Sequence, residues 1–228
     1  MSAEVRRMFA SIAGRYDAAN QVLSLGVHRG WRRAAVRMAQ ARPGMRVLDC
    51  ATGTGDLALE FARAVEPGGE VTAADFCPEM LQHAPAKAAR ARLPIRFAVA
   101  DALALPFANQ SFDVVSIGFG IRNVDDPLQC LREMTRVLRP GGSAIVLEFG
   151  RPRGAFGAVF RGYSATVLPL VGGLLTGNRA AYEYLPRTAA AFPSGEEFLA
   201  LMRESGAFSR SEAHPLLFGT AYVYRGVK

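Results

Sequence analysis

Residues 47–57 constrain the fold more than any other stretch of this 228-residue chain. A short apolar run ends in Asp49, a glycine-containing turn follows, and a helical pattern begins at Asp56. Gly53 and Gly55 let this turn bend sharply and approach a ligand, because glycine has no Cβ. The N–H groups at a helix start also favour an anionic group. The stretch therefore predicts a strand, a ligand-binding turn and the start of a helix.

Strand and helix patterns alternate from residue 45 to residue 149. The apolar runs predict strands over 45–50, 70–75, 95–100, 112–119 and 143–149. The helical patterns between them cover 56–65, 78–92 and 127–138. Such alternation favours a parallel sheet with helices on both faces.

The two ends of the chain show other patterns. Residues 1–43 are largely helical in pattern and predict an N-terminal extension. Near the C-terminus, strand patterns over 207–214 and 217–225 with a turn at Pro215 predict an antiparallel hairpin at one edge of the sheet. No low-complexity linker or internal repeat interrupts the chain, so we expect a single domain over 1–228.

The positive charge is concentrated at the start of the chain. Residues 1–46 contain nine Arg against Glu4 and Asp17, which accounts for the whole net charge of +7. A basic segment can face nucleic acid, anionic lipid or an acidic partner, or it can be a solvated helix surface. Because no aromatic residues are interleaved in the manner that stacks bases, we do not expect a nucleic-acid partner.

The cysteines and the first residues indicate the compartment. Cys50, Cys77 and Cys130 are odd in number and lack metal-ligand spacing, which indicates a reducing compartment without a disulfide framework or a metal site. Met1–Gly14 has the pattern of a charged amphipathic helix and not of a signal peptide. We therefore expect a cytoplasmic protein.

Two nucleotide-like ligands compete for the glycine turn, a nicotinamide dinucleotide and S-adenosylmethionine (SAM). Asp75, twenty residues after Gly55, suits the ribose of either ligand. Asp101, followed by Ala102, ends the third predicted strand, where it could accept a hydrogen bond from an adenine amino group. SAM has no pyrophosphate and carries two positive groups, so it tolerates Asp49 beside the turn. Three acids at three successive strand ends favour SAM over simple turn roles.

This succession resembles the class I SAM-dependent methyltransferases over most of residues 45–149. The resemblance includes Leu105-Pro106-Phe107, Ser111-Phe112-Asp113 and Arg139-Pro140-Gly141-Gly142. It implies an α/β, Rossmann-like fold with a mainly parallel seven-stranded sheet, a C-terminal antiparallel hairpin and an N-terminal helical cap. The cofactor-binding residues that it implies are Asp49, Gly53, Thr54, Gly55, Asp75, Phe76, Asp101 and Ala102.

The flanking segments carry a narrower likeness. They are Phe9-x-x-Ile12-Ala13-x-Arg15-Tyr16-Asp17, Phe119-Gly120-Ile121-Arg122-Asn123-Val124, Leu147-Glu148-Phe149 and Tyr182-x-Tyr184-Leu185. Together they resemble the ubiquinone/menaquinone biosynthesis C-methyltransferase family, although Gly118 stands where a Ser is common. The resemblance implies methyl transfer from SAM to a ring carbon of a polyprenylated quinol. We expect demethylmenaquinol as the acceptor; a ubiquinone precursor and a SAM-binding regulatory protein without turnover are the alternatives.

The chemistry suggests catalytic candidates. A ring carbon becomes a good nucleophile once the quinol hydroxyl loses its proton, and phenols titrate at about pH 10, so a base or a positive group is needed. Arg122 and Asn123 follow the fourth predicted strand, where open α/β sheets place ligands. We expect Arg122 to lower the quinol pKa and Asn123 to orient the ring oxygen. Tyr16, Asp17 and His28 are candidates for a proton relay.

Three of these candidates also have a structural interpretation. Arg122 could pair with Asp125 or Asp126 at the surface. His28 could be a helix-start or packing residue, and Tyr16 a core aromatic.

The likeness also predicts contact with a membrane. Residues 150–193 are expected to form an insertion on the substrate side, whose stretch 162–178 suits a mobile or interfacial segment better than a spanning helix. Six nearby apolar side chains predict either core or a channel for the isoprenoid tail; they are Phe156, Phe160, Val167, Leu168, Leu170 and Leu174. Because such a tail lies in the bilayer, we expect transient contact with the inner face of the membrane through the basic N-terminal helices.

Overall fold

Seven strands form one sheet at the centre of the computed structural model, which describes residues 3–228. In chain order they are β1 (Arg46–Cys50), β2 (Glu70–Asp75), β3 (Ile95–Val99), β4 (Phe112–Gly118), β5 (Leu138–Phe149), β6 (Arg210–Leu216) and β7 (Ala221–Val227). The order across the sheet is β3-β2-β1-β4-β5-β7-β6. Strands β1 to β5 run parallel, whereas β7 is antiparallel to β5 and to β6. The predicted mainly parallel sheet with a C-terminal hairpin is confirmed.

The helices, in chain order, are α1 (Ala3–Ile12), α2 (Tyr16–Leu23), α3 (Val27–Met38), α4 (Asp56–Val65), α5 (Pro78–Leu81), α6 (Ala84–Ala91), α7 (Pro127–Val137), α8 (Gly154–Thr176), α9 (Arg179–Ala191) and α10 (Glu196–Glu204). Helices α1 to α3 form the expected N-terminal helical cap, and α2 covers a polar segment with an aromatic residue and the start of a short apolar piece, for which the sequence predicts no separate helix. Residues 1 and 2 of the predicted extension lie outside the described range.

Two hydrophobic cores lie on opposite faces of the sheet. Val115 and Ile117 of β4 enter one core with α7 and α10, whereas Val114 enters the other with α3, α4 and α6. Successive side chains of a strand point to opposite faces, so a strand covered on both sides is apolar throughout. The continuous apolar runs of the sequence therefore give a sheet whose central strands are buried between helices, whereas the edge strands β3 and β6 are partly exposed.

Prolines account for two differences from the sequence prediction. The helix predicted over 78–92 is two helices: α5 ends at Leu81, and Pro85 lies in the first turn of α6, where its missing N–H is harmless. The expected turn at Pro215 is wrong, because Pro215 lies within β6 opposite Tyr222 and the chain turns at Leu217–Gly219. Strand β6 is an edge strand, which tolerates a residue without a backbone donor.

Helix α8 is more regular than the sequence predicts. The segment predicted to be mobile or interfacial is one continuous helix of 23 residues. Among the described helices, it alone is long and apolar enough to cross a membrane. Of the six side chains predicted as core or channel, Leu168 is buried and Phe160 is half-buried, whereas Phe156, Val167, Leu170 and Leu174 are exposed. The core interpretation is therefore wrong for these four.

Candidate active site

A cleft of about 630 Å³, open to solvent, lies at the carboxyl edge of the sheet. Its lining includes Ala51 after β1, Phe76 after β2, Asp101 after β3 and Phe119 after β4. The carboxyl ends of parallel strands meet at one edge, so residues far apart in sequence converge there. An adjoining cavity of about 420 Å³ shares Gly53 with the cleft and extends to Asp49 and Thr54.

The two glycines of the turn have different roles. Both have left-handed backbone angles, with φ of +57° at Gly53 and +84° at Gly55. Gly53 lines both cavities, which agrees with close approach to a ligand. Gly55 lines neither; a Cβ at this position would lie 2.9 Å from the Cβ of Ala84. Gly55 therefore lets the turn pack against α6, while Gly53 faces the ligand space.

Asp75 lines the cleft and also stabilises the glycine turn. Its two oxygens accept hydrogen bonds of 2.7 Å from the N–H groups of Gly53 and Cys77. Burial raises the pKa of this carboxyl, and the two backbone donors oppose that shift. Each carboxylate oxygen has a second lone pair, so Asp75 can still accept ribose hydroxyls. The adjacent Phe76 also lines the cleft.

Asp101 and Ala102 lie together in the cleft wall. One oxygen of Asp101, Oδ1, accepts a hydrogen bond of 3.0 Å from the N–H of Leu103, which fixes the carboxylate. The structure thus brings the acids after β2 and β3 into one cleft, as the sequence predicts. Their chemistry, two acceptors beside the aromatic ring of Phe76, fits the ribose and adenine of SAM.

Asp49 is fully buried at the end of β1 and lines the adjoining cavity. The hydroxyls of Thr52 and Ser116 each donate a hydrogen bond of 2.6 Å to its carboxylate. Burial raises the pKa of Asp49 to about 6, against the lowering effect of these hydroxyls and of Arg32. A nearby positive charge stabilises a carboxylate of this kind, which fits the ammonium or sulfonium of SAM.

Asp17 fastens the N-terminal cap to the glycine turn. Its Oδ1 accepts a hydrogen bond of 2.5 Å from the Thr54 hydroxyl, and its Oδ2 lies 2.7 Å from Nζ of Lys87. Lys87 also contacts Asp56, the first residue of α4. Asp17 lines neither cavity. Its contacts therefore give it a tethering role, which the sequence did not indicate because Lys87 lies 70 residues away.

The other two relay candidates differ in position. Tyr16 lines both cavities, and the centre of its ring lies 6.4 Å from the centre of the Phe9 ring. His28 is buried, lines neither cavity, and contacts the hydroxyl of Ser24 through Nδ1. Burial lowers the pKa of His28 to about 4, so the imidazole is neutral at pH 7. The structure brings Tyr16 to the cleft and leaves His28 as a packing residue of α3.

Arg122 and Asn123 are adjacent in sequence but face different surroundings. The Arg122 side chain is only 3% exposed, and its Nη1 lies 2.7 Å from Oε1 of Glu148. Its ion-pair partner is therefore the buried Glu148, and not Asp125 or Asp126 at the surface. Arg122 is not among the residues that line the cleft. Asn123 lines the cleft, and its Oδ1 accepts a hydrogen bond of 3.0 Å from the hydroxyl of Tyr184.

Comparison with known proteins identifies the family. The model of the ubiE/COQ5 methyltransferase family matches residues 1–228. The ubiquinone/menaquinone biosynthesis C-methyltransferase UbiE of Bdellovibrio bacteriovorus is 52% identical, over 97% of this chain and 94% of that protein. The demethylmenaquinone methyltransferase of Deinococcus radiodurans is 51% identical, over 98% of this chain and 92% of that protein.

Solved structures agree on the fold. A SAM-dependent methyltransferase of Thermotoga maritima, a possible histamine N-methyltransferase, aligns with a TM-score of 0.68 at 22% identity, over 97% of this chain and 98% of that one. Among residues 3–228, no cluster of His, Cys, Asp and Glu has the makings of a metal site. The chain belongs to the ubiE/COQ5 methyltransferase family and is a SAM-dependent C-methyltransferase of quinone biosynthesis.

Proposed function

We propose that this enzyme methylates a ring carbon of demethylmenaquinol to form menaquinol. The observation that carries the proposal is the composition of the cleft beyond the acids, where the amide of Asn123 and the phenol of Tyr16 lie among the rings of Phe9 and Phe119. Such a surface suits an uncharged aromatic ring with hydroxyl groups. Relatives of 51% and 50% identity from Deinococcus radiodurans and Thermus thermophilus, both named demethylmenaquinone methyltransferase, support the naphthoquinol.

A ubiquinone precursor is the second candidate acceptor. The relative of 52% identity from Bdellovibrio bacteriovorus is named for both quinones. Both acceptors present a hydroxylated ring with an apolar tail, so the same cleft chemistry serves either one.

The cofactor side of the site is assigned to the three acids. Asp75 and Asp101 would hold the ribose and the adenine, while Asp49 would face the positive groups through the glycine turn. When bound, SAM supplies an electrophilic methyl group. The protein's task is then to hold the donor in place and to make the ring carbon of the acceptor nucleophilic.

Asn123 is proposed to orient the quinol and to stabilise its deprotonated oxygen. Because Oδ1 of Asn123 accepts from Tyr184, the amide Nδ2 is left as the donor; one of its hydrogens points to the carbonyl of Phe119, 3.4 Å away. The second hydrogen can be donated to a ring oxygen. A donor aimed at a developing negative charge is among the strongest catalytic contributions. Tyr16, which lines the same cleft, is proposed to pass the hydroxyl proton towards solvent.

Arg122 is proposed to position this loop and not to contact the quinol. Its Nη1 donates hydrogen bonds of 2.7 Å to the carbonyl of Phe119 and to Glu148. The Arg122 guanidinium also lies 5.1 Å from the centre of the Phe149 ring. The ion pair of Arg122 and Glu148 thus joins the loop after β4 to the end of β5. This link fixes the backbone from which Asn123 projects.

The cellular location follows from the substrate. A polyprenyl tail partitions into the bilayer, so we propose a cytoplasmic enzyme that meets its substrate at the inner face of the membrane. The N-terminal Arg residues are only partly available for this contact, since Arg6, Arg32 and Arg46 pair with Glu79, Asp56 and Glu70.

The test is methyl transfer from isotope-labelled SAM, under anaerobic conditions, to reduced demethylmenaquinone and to the reduced ubiquinone precursor in parallel. Transfer to the naphthoquinol alone is the expected result. Transfer to the benzoquinol alone would overturn the proposal, and transfer to both would make the enzyme one of dual specificity. The Asn123→Ala variant should lose about 10²-fold in kcat while it still binds SAM, as is typical when one such donor is removed. Asn109→Ala, the same change at an exposed loop residue, is the matched control and should keep full activity.

A further inference from the structure

Exposed large apolar side chains are concentrated on one part of the molecule. Of the eleven in residues 3–228, ten lie on α8, around the α2–α3 turn or in the β6–β7 turn, and only Val99 lies elsewhere. Two contacts join the three segments: the Tyr163 hydroxyl of α8 donates a hydrogen bond of 2.7 Å to the carbonyl of Leu23, and the ring of Phe156 lies 5.1 Å from that of Phe218. We call this surface the apolar face.

Helix α8 has its faces inverted relative to a helix of a water-soluble protein. The side against the protein buries small or polar residues, among them Gly157, Ser164 and Gly172. A Cβ at Gly172 would come within 2.3 Å of the Tyr182 ring, so this packing requires glycine. The large apolar residues lie on the other side and are exposed: Phe156, Val159, Val167, Leu170 and Leu174. Their spacings of three, eight, three and four residues place them along one stripe of the helix.

Two turns present apolar tips beside α8. Leu25, 87% exposed, follows α2, and Phe218, 77% exposed, lies between β6 and β7. Both have left-handed backbone angles, with φ of +49° and +54°, as does Leu217 at +40°. Large side chains adopt this conformation rarely and at a cost. Leu and Phe side chains that are exposed to water are unfavourable in an isolated protein, whereas insertion of the same side chains into an apolar medium is favourable.

The charge around the apolar face is positive. The sequence contains no Asp or Glu from residue 18 to 48, from 149 to 182 or from 213 to 228. Arg29, Arg153 and Arg161 lie within or beside the face and are exposed. None of the three forms an ion pair within residues 3–228. An apolar stripe whose own segments carry exposed arginines and no acidic residue is complementary to a bilayer that contains anionic lipid.

We propose that the apolar face docks the enzyme on an anionic lipid bilayer, with α8 lying in the plane of the interface and the tips of Leu25 and Phe218 inserted. Helix α8 lies along the surface and does not span, because its other side is packed on α2 and α9. This inference rests on the proposed quinol substrate, whose tail resides in the bilayer. The sequence predicts membrane contact through the basic N-terminal helices as a whole, whereas this inference places the contact on the apolar face.

The face and the cleft are connected by one short helix. Helix α2 begins with Tyr16, which lines the cleft, and ends at Leu23, whose carbonyl accepts the hydrogen bond from Tyr163 of α8. Eight residues of helix span roughly 12 Å. A ring bound in the cleft could therefore keep its tail in the bilayer along α2.

The test is co-flotation of the full chain with vesicles of phosphatidylcholine alone and of phosphatidylcholine with phosphatidylglycerol. We expect binding to the anionic vesicles that weakens with salt. The double variant L25E/F218E should lower the partition coefficient at least about tenfold, because two large apolar groups no longer insert. Val99→Glu, the same kind of change at the exposed apolar residue outside the face, should float like the wild type. Both tips are exposed and outside the cleft, so SAM binding and methylation of a tail-less quinol in solution should stay unchanged.

Each outcome separates the two proposals. If L25E/F218E floats as well as the wild type, the docking inference is overturned even when quinol methylation is observed. If the wild type methylates neither quinol, the proposed function fails, while the flotation result still decides the docking surface. If the wild type without vesicles is a dimer that L25E/F218E dissociates, the apolar face belongs to a second copy of the chain and the bilayer is the wrong partner.

Discussion

The hydroxyl of Tyr184 in α9 donates a hydrogen bond of 3.0 Å to Oδ1 of Asn123 in the loop after β4. Through this bond, residues outside the core sheet fix the orientation of an amide in the cleft. We predict that Tyr184→Phe lowers kcat roughly five- to tenfold, the effect of about 1 kcal/mol from one lost hydrogen bond. The KM for quinol and the Kd for SAM should change little, because Asn123 and the acids remain.

The control for this variant is Tyr224→Phe. Tyr224 also loses a hydrogen bond, one of 2.7 Å from the N–H of Gly195, but it lies in the core away from the cleft. It should reduce stability and leave kcat close to that of the wild type. Equal kcat values for Tyr184→Phe and the wild type would remove Tyr184 from any positioning role.

The buried pair of Arg122 and Glu148 should matter for stability. Their side chains are 3% and 1% exposed, so Glu148→Ala leaves a positive charge buried without its partner. We predict a loss of about 3–5 kcal/mol in the free energy of unfolding, measured by urea denaturation. Glu197→Ala, which breaks the exposed pair with Arg151, should cost less than about 1 kcal/mol. A similar small loss for both variants would mean that the Arg122 charge is stabilised by other groups.

The acids of the cofactor site could be predicted because parallel topology places them. Once residues 45–149 are recognised as alternating strands and helices, Asp49, Asp75 and Asp101 must lie at the same edge of the sheet, whatever the packing details. The structure places all three around two adjoining cavities. The sequence pattern was sufficient here because the backbone alone determines the position of a strand end.

The direction of individual side chains could not be predicted. Ile121–Asn123 form a single 3₁₀ turn, in which successive side chains diverge by roughly 120°. Arg122 therefore turns inward to Glu148 while Asn123 faces the cleft. Likewise, the apolar residues of α8 have a helical period, but a period alone does not say which side of a helix is buried. The buried side of α8 is the one with small residues such as Gly172, which packs against the Tyr182 ring. Small residues carry no strong signal in the sequence.

The contact of Lys87 with Asp17 should hold the N-terminal cap over the site. Lys87→Met removes an ion pair of 2.7 Å and a contact of 3.2 Å with the Thr54 hydroxyl. We predict that amide hydrogen exchange in α1 and α2 becomes two- to fivefold faster, as expected for about 0.5–1 kcal/mol from a partly exposed pair. Exchange in β1 should not change. Arg63→Met, which breaks the exposed pair with Glu60, should leave both regions unchanged. Unaltered exchange in Lys87→Met would show that Lys87 does not hold the N-terminal cap.

Asp49 should make SAM binding depend on pH. In the free protein its pKa is raised to about 6 by burial, so the carboxylate becomes protonated as the pH falls through that value. A protonated Asp49 no longer attracts the positive groups of SAM, so the Kd should rise below about pH 6. Asp49→Asn should bind about tenfold more weakly at pH 7.5, equivalent to about 1.4 kcal/mol, and approach the wild-type Kd at pH 5.

Isothermal titration calorimetry between pH 5 and pH 8 measures these affinities directly. Burial also raises the pKa of Asp75, but Asp75 titrates in both proteins, so the difference between the wild type and Asp49→Asn isolates Asp49. Asp113→Asn is the matched control, because Asp113 lies near the amino end of β4 and pairs with Arg139. Its binding curve should follow that of the wild type. Parallel pH curves for the wild type and Asp49→Asn would show that the Asp49 charge does not contribute to holding the cofactor.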